Sequence, residues 1–146
     1  MRQLLILNGP NLNLLGEREP EIYGRQTLAE AIEAARAVAA ECGFEIAHLQ
    51  SNHEGELIDR LQAARGEVDG IILNPGGLTH SSVALRDAVA GVGIPTIEVH
   101  LSNLARREDF RQTSLVSGVA LGVIAGLGAA GYSLAVRAFS HYFQAS

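Results

Sequence analysis

Residues 4–16, with the sequence LLILNGPNLNLLG, contain the pattern that decides the fold. The four consecutive apolar side chains at positions 4–7 predict a strand that is buried on both faces, as in a parallel sheet. An Asn-Gly-Pro segment then ends this strand, and no helical pattern begins until after Gly24. Such a long connection is uncommon unless it carries function, for example as a lid over a site.

The alternation of apolar runs and amphipathic stretches continues along the whole chain. Thr27 and Glu30 match a capping box at the start of the first long helix, and Gly43 provides its C-terminal stop. The pattern predicts right-handed βαβ crossovers and an α/β fold, a flavodoxin-like five-stranded parallel sheet of order 2-1-3-4-5 with helices on both faces, in one domain over residues 1–146. The predicted strands are residues 4–7, 44–49, 70–73, 94–99 and 119–125, and the predicted helices are residues 27–42, 54–65, 81–90 and 129–143.

Three loops of this predicted fold are candidates for a functional site. Ligands of open parallel sheets bind at the carboxyl ends of the strands, near the switch in strand order. Here those loops follow strands 1, 3 and 4, at residues 8–24, 74–81 and 100–111, and they concentrate polar, ionisable and glycine residues. We therefore expect the site to form where these three loops meet.

Composition excludes several classes of protein. The net charge of −5 argues against a nucleic-acid partner, which would call for a basic face. All 11 basic residues are Arg, which excludes Schiff-base chemistry on a Lys and a phosphate-binding P-loop. A single cysteine, Cys42, excludes an internal disulfide and is interpreted as a core residue. No signal peptide is recognised at the N-terminus, so a cytoplasmic protein is expected.

Two further patterns have alternative interpretations. Residues 112–136 carry no charge and are long enough to span a bilayer, but we interpret them as a buried strand, a turn and a helix, with no membrane association. Residues 126–131, GLGAAG, match the dinucleotide fingerprint, yet no acidic residue follows about 20 positions later, which favours a tight turn. A phosphoacceptor receiver is disfavoured because Asn74 stands where its Asp would be and no Lys is present.

Acid–base candidates lie in the loops singled out above. Glu98 and His100 are two residues apart on a predicted strand and so share a face, where a carboxylate can orient an imidazole; a purely structural pair fits the pattern equally well. Tyr23 follows Arg18 on the long first loop, where a neighbouring cation could favour a phenolate, although packing is the ordinary role of a Tyr. The five His residues show no i, i+4 pair, so no metal site is expected.

Taken together, these motifs resemble the type II 3-dehydroquinate dehydratases. The resemblance covers the whole chain and is carried by residues 7–24, 74–82, 97–103 and 107–111. It implies a flavodoxin-like lyase that uses no Lys, metal or cofactor. The implied reaction is the trans elimination of water from 3-dehydroquinate, through an enolate, to give 3-dehydroshikimate in the shikimate pathway, for aromatic biosynthesis or for quinate breakdown.

The resemblance also implies catalytic roles for five residues. Tyr23 matches the base that removes the proton beside the ketone, and Arg18 matches the group that stabilises its phenolate. Asn11 matches the residue that holds a water against the enolate oxygen. His100, oriented by Glu98, matches the acid that protonates the leaving hydroxyl.

Substrate contacts and an assembly follow from the same resemblance. Asn74 and the backbone amides of Leu101 and Ser102 match a carboxylate site, and the matching contacts to ring hydroxyls are His80, Arg111 and Asp87. In the family this Asp comes from a neighbouring subunit of a homododecamer, a tetramer of trimers. Residues 112–115, QTSL, depart from the His-Ser-Tyr common in relatives, which puts local packing or subunit contacts in question. A non-catalytic sensor of pathway acids on the same fold is the competing hypothesis.

Overall fold

The computed structural model describes residues 1–145. Its strands are β1 (Arg2–Asn8), β2 (Phe44–Gln50), β3 (Gly70–Asn74), β4 (Thr96–His100) and β5 (Gly122–Ala125), and its α-helices are α1 (Pro20–Tyr23), α2 (Leu28–Cys42), α3 (Glu54–Ala63), α4 (Val83–Val92) and α5 (Ala130–Ala145). Short 3-10 helices occupy Leu12–Leu14, Gly76–His80, Leu104–Arg106, Asp109–Arg111 and Ser117–Val119.

The strands form one parallel sheet in the order β2-β1-β3-β4-β5, which confirms the predicted flavodoxin-like topology. β1 pairs with β2 on one side and with β3 on the other. The register places Asn8, at the end of β1, between Gln50 and Asn74. Polar side chains at the carboxyl ends of three strands are therefore immediate neighbours.

Two apolar layers cover the faces of the sheet. Successive side chains of β1 point to opposite faces, so Leu4 and Ile6 pack into the cluster with α2 and α5, whereas Leu5 and Leu7 pack into the cluster with α3 and α4. All four side chains are fully buried, as the apolar run predicts. Burial of each contributes about 1.5–3 kcal/mol to stability, which makes β1 the centre of the fold.

Capping residues set where the helices begin. The hydroxyl of Thr27 accepts a hydrogen bond from the Glu30 amide at 3.2 Å and the Glu30 carboxylate accepts one from the Thr27 amide at 3.1 Å, so the predicted capping box is confirmed. The helix predicted at 81–90 begins at Val83 instead, because Ser82 caps it from outside the helix.

The last strand is shorter than predicted. Residues 119–125 were expected to be extended, but β5 begins only at Gly122. The reason is that Ser117–Val119 form a 3-10 turn, after which the Leu121 amide donates to the Thr96 carbonyl at 2.7 Å and starts the pairing with β4.

The glycine-rich segment after β5 is a tight turn, in agreement with the interpretation favoured above. Gly126 and Gly128 adopt φ values of 88° and 65°, a region that suits glycine. A Cβ on Gly131 would lie 3.1 Å from Val99 Cγ1, so this glycine lets α5 approach the sheet closely. Within residues 1–145, no helix is long and apolar enough to cross a membrane.

Candidate active site

A cavity lies at the carboxyl ends of β1, β3 and β4, where the three singled-out loops meet. Most of the residues that the sequence predicted for the site line it together: Asn11, Arg18, Tyr23, Asn74, His80, His100, Leu101, Ser102 and Arg111. The polar loops of the sequence thus converge on one concave surface.

Close backbone approach brings the loops after β1 and β3 together. The Gly9 amide donates to the Asn74 carbonyl at 2.8 Å, which extends the β1–β3 pairing into the loops. A Cβ on Gly9 would stand 2.4 Å from the Pro75 carbonyl oxygen, so only glycine fits there. Asn11 follows with φ 71°, and its amide donates to the Asn52 side chain at 3.0 Å. Residues other than glycine that adopt such a positive φ are uncommon, and they cluster at functional sites.

The phenol of Tyr23 sits between two guanidinium groups. Arg18 Nη2 and Arg107 Nη2 each donate to the Tyr23 hydroxyl oxygen at 3.2 Å. The pKa of Arg107 is raised: burial alone would lower it, but Tyr23 and Glu108 stabilise the cation more strongly. Both cations would stabilise a negative charge on the Tyr23 oxygen. From the sequence, only Arg18 is predicted to stabilise this phenolate.

The His100 imidazole is held by a buried carboxylate. His100 Nε2 is hydrogen-bonded to Glu98, which leaves Nδ1 as the ring nitrogen that can serve a ligand in the cavity. Glu98 is fully buried and also accepts hydrogen bonds from three hydroxyl groups, those of Thr79 (2.7 Å), Ser114 (2.7 Å) and Ser117 (2.6 Å). Burial raises its pKa, but the hydrogen bonds from His100, Ser117 and Thr79 outweigh that effect and hold the pKa at about 2.

Donors for an anion also line the cavity. Asn74 is 3% exposed and directs its amide into a hydrogen-bond network at the end of β3. Leu101 and Ser102 follow β4 directly, and the Ser102 hydroxyl accepts a hydrogen bond from Arg107 Nη1 at 2.9 Å. Arg107 therefore connects Ser102 to Tyr23.

The segment that departs from its relatives supports the rim of the cavity. His80 Nδ1 lies 2.8 Å from the Thr113 carbonyl oxygen, a contact through backbone that does not depend on the side chain at 113. Ser114, in the same segment, bonds to Glu98. The segment whose packing the sequence leaves in question therefore contacts two residues predicted for the site.

Asp87 lies apart from the cavity. It is exposed on α4, where its carboxylate pairs with Arg86 at 2.9 Å, and it borders a separate depression between α3 and α4. Its predicted contact with substrate requires a second subunit and stays a prediction.

Four residues of the site were not predicted individually. Arg107 belongs to the motif at residues 107–111, but the resemblance gives it no role of its own; the others, which hold Glu98, are Thr79, Ser114 and Ser117. Within residues 1–145, no three His, Cys, Asp or Glu side chains form a group that could hold a metal ion.

The fold and the cavity together define a flavodoxin-like α/β protein with groups suited to acid–base chemistry on an anionic ligand. Residues 2–140 match the family "Dehydroquinase class II". The chain is 59% identical over 136 residues to 3-dehydroquinate dehydratase of Herminiimonas arsenicoxydans, covering 92% of this chain and 94% of that protein. It is 57% identical over 136 residues to catabolic 3-dehydroquinase 1 of Neosartorya fischeri, covering 93% and 91%.

A solved structure of the same family has the same fold. The type II dehydroquinase of Propionibacterium acnes superposes with a TM-score of 0.93 at 38% identity, covering 97% of each chain. The chain therefore belongs to the class II dehydroquinase family.

Proposed function

We propose that this chain is a hydro-lyase that converts 3-dehydroquinate to 3-dehydroshikimate in the shikimate pathway, with Tyr23 as base and His100 as acid. The observation that carries the proposal is the Tyr23 oxygen 3.2 Å from both Arg18 and Arg107, in the same cavity as the His100–Glu98 pair. The activity agrees with the names of the similar proteins reported above.

The first step is removal of a proton beside the ketone. Tyr23, as a phenolate stabilised by the two guanidinium groups, takes this proton and becomes a neutral phenol, while the electron pair of the C–H bond forms an enolate. Asn11 lines the cavity and would hold a water against the enolate oxygen. A donor placed in advance stabilises this charge without reorganisation in the transition state.

The second step is loss of the hydroxyl group. As the enolate re-forms the ketone, the electron pair of its C=C bond forms the new C=C bond of the product and the C–O bond breaks. His100, acting as the acid, gives a proton to the departing oxygen, which leaves as water. Ionised Glu98 stabilises the imidazolium before this transfer and fixes its orientation. Tyr23 and His100 regain their starting protonation states by exchange with solvent.

All but one of the proposed substrate contacts come from a single catalytic domain. The carboxylate of the substrate would bind Asn74 and the amides of Leu101 and Ser102, and the ring hydroxyls would bind His80 and Arg111. We further propose that Asp87 of a neighbouring subunit completes the site in a dodecamer of four trimers, and that the protein is cytoplasmic.

The test is an ultraviolet assay for the conjugated enone of the product. We expect wild-type protein to generate this absorbance from 3-dehydroquinate, Tyr23→Phe to lose nearly all turnover with an unchanged melting temperature, and Tyr142→Phe to behave as wild type. A wild-type protein that binds the substrate without producing the enone would instead be a binding module. A Tyr23→Phe variant with near-native kcat would move the role of base to another residue.

A further inference from the structure

A chain of buried polar side chains runs behind Asn74, away from the cavity. Tyr132, on α5, is fully buried, as is Asn8 at the end of β1, and Asn74 is 3% exposed. Asn74 Nδ2 lies 3.0 Å from the Tyr132 oxygen, and the Tyr132 oxygen lies 2.5 Å from Asn8 Oδ1. None of these contacts was needed for the mechanism above.

The donor-to-acceptor direction of these hydrogen bonds follows from a group that can only donate. The backbone amide of Gly76 lies 3.1 Å from the Asn74 side chain, so the Asn74 oxygen, and not its nitrogen, must face it. The Asn74 nitrogen then faces Tyr132 and donates to it. Tyr132 has a single hydroxyl hydrogen, which is therefore directed to Asn8 Oδ1.

The far end of this series of hydrogen bonds, at Asn8 and His48, agrees with this direction. With its oxygen turned to Tyr132, Asn8 presents its nitrogen to His48, whose Nε2 lies 3.1 Å away and must accept. The pKa of His48 is lowered, by burial first and by Arg36 second, which favours the neutral ring that can accept. Burial also raises the pKa of Tyr132, so the hydroxyl keeps the proton that it donates.

We infer that Tyr132 is a positioning residue that, together with the Gly76 amide, holds the plane of the Asn74 amide and keeps its nitrogen available to the cavity. One hydrogen of the Asn74 nitrogen is used on Tyr132, and its oxygen is used on Gly76. The remaining hydrogen of this nitrogen makes Asn74 a donor to a ligand in the cavity, which suits the carboxylate of the substrate. This inference rests on the proposed function, in which Asn74 receives the substrate carboxylate.

Without the Tyr132 hydroxyl, the Asn74 amide loses one of the two contacts that hold its plane. The Asn74 nitrogen is then buried with an unsatisfied hydrogen, so the amide group rotates or binds a water molecule. For part of the time Asn74 no longer presents its N–H to the ligand. The consequence falls on binding of the carboxylate rather than on the proton transfers at Tyr23 and His100.

The experiment combines Tyr132→Phe with Asn74→Ala in a double-mutant cycle. The measurements are kcat and KM for 3-dehydroquinate, the Kd of shikimate (a ring carboxylate without the ketone) by calorimetry, and the melting temperature. Tyr142→Phe on the same helix is the matched control, because Tyr142 packs among aromatic rings at the other end of α5.

We expect Tyr132→Phe to raise KM and the Kd of shikimate about tenfold, the loss of one hydrogen bond, with kcat changed less than about threefold. In the Asn74→Ala background the same substitution is expected to change neither constant by more than about twofold, because two residues that act through one contact are not additive. Tyr142→Phe is expected to leave all constants at wild-type values.

Other outcomes overturn the inference. A Tyr132→Phe protein with a lowered melting temperature but wild-type KM and Kd would give Tyr132 a structural role only. An equal loss of affinity in the Asn74→Ala background would show that Tyr132 acts by another route. Shikimate binding separates this inference from the proposed function. A wild-type protein that binds shikimate but does not turn over 3-dehydroquinate refutes the function, while the effect of Tyr132→Phe on the Kd of shikimate still decides the inference. A wild-type protein that neither binds nor turns over refutes both.

Discussion

Two tyrosines of this chain show how surroundings decide what one side chain can do. Tyr23 lies on the cavity, with two guanidinium groups 3.2 Å from its oxygen. Tyr132 is fully buried with neutral amides as partners, and burial raises its pKa, so it remains a phenol. Two cations beside the oxygen suit the base proposed for Tyr23, whereas a buried phenol that keeps its proton suits a directional hydrogen-bond donor.

The second cation beside Tyr23 is expected to matter as much as the first. Arg107→Ala removes one of two charges that stabilise the phenolate and should lower kcat by about 10²-fold, in the range of one electrostatic contact to a developing charge. Steady-state kinetics of Arg107→Ala and Arg18→Ala should show losses of the same order. Arg106→Ala, an exposed neighbour, is the control and should keep wild-type kcat. A wild-type rate in Arg107→Ala would leave Arg18 as the sole stabilising group.

Glu98 is expected to make folding stability depend on acid pH. Its pKa of about 2 lies below the ordinary value of 4.5, so its contribution is fully present above about pH 4.5 and is lost as pH falls toward 2. The full contribution is about 3 kcal/mol, at roughly 1.4 kcal/mol per pH unit. Denaturant unfolding between pH 6 and pH 3 should show a smaller fall in the free energy of unfolding for Glu98→Gln than for wild type. Glu17→Gln, on the exposed surface, should keep the wild-type fall; identical curves for all three would contradict the assignment.

At the scale of elements, the site depends on how closely the loops after β1 and β3 approach. Gly9→Ala would place a methyl group 2.4 Å from the Pro75 carbonyl oxygen, so the backbone must shift. We expect a loss of several kcal/mol in the free energy of unfolding, as for other severe steric clashes, together with loss of activity, because Asn11 and Asn74 are displaced. Gly91→Ala is the matched control, because a Cβ there meets nothing within 4 Å. Equal melting temperatures for the two variants would contradict the expected clash.

The elements also show what the sequence could and could not predict. The apolar run at 4–7 identifies β1, and the polar loops at the ends of three strands identify the site, because both signals are local. The partners of Glu98 are different: Ser114 and Ser117 lie between β4 and β5, in a stretch of bends and a short 3-10 turn that has no helical or strand periodicity. The Asn8–Tyr132 hydrogen bond joins residues 124 positions apart, which no local pattern indicates.

At the scale of the whole molecule, large apolar side chains remain on the surface. Phe110 is 64% exposed and Leu127 is 59% exposed, and Val123 on the edge strand β5 is also exposed. Exposed apolar surface of this kind is compatible with the proposed assembly, and light scattering should give a mass that is a multiple of three chains. A monomer at micromolar concentration would contradict it.

The proposed contribution of Asp87 across a subunit boundary can be tested without knowing the interface. Asp87 lies outside the cavity of its own chain, so Asp87→Ala should impair the site of a neighbour, whereas Tyr23→Phe impairs its own. The two inactive variants are unfolded together in equal amounts and refolded. A site then works only where a chain with Tyr23 meets a neighbour with Asp87, which is about a quarter of all sites if assembly is random and symmetric. Recovery of about that share of wild-type kcat, with none when either variant is refolded alone, is the expected result. No recovery in a mixture shown by native mass measurement to contain hybrid assemblies would place the function of Asp87 within its own chain.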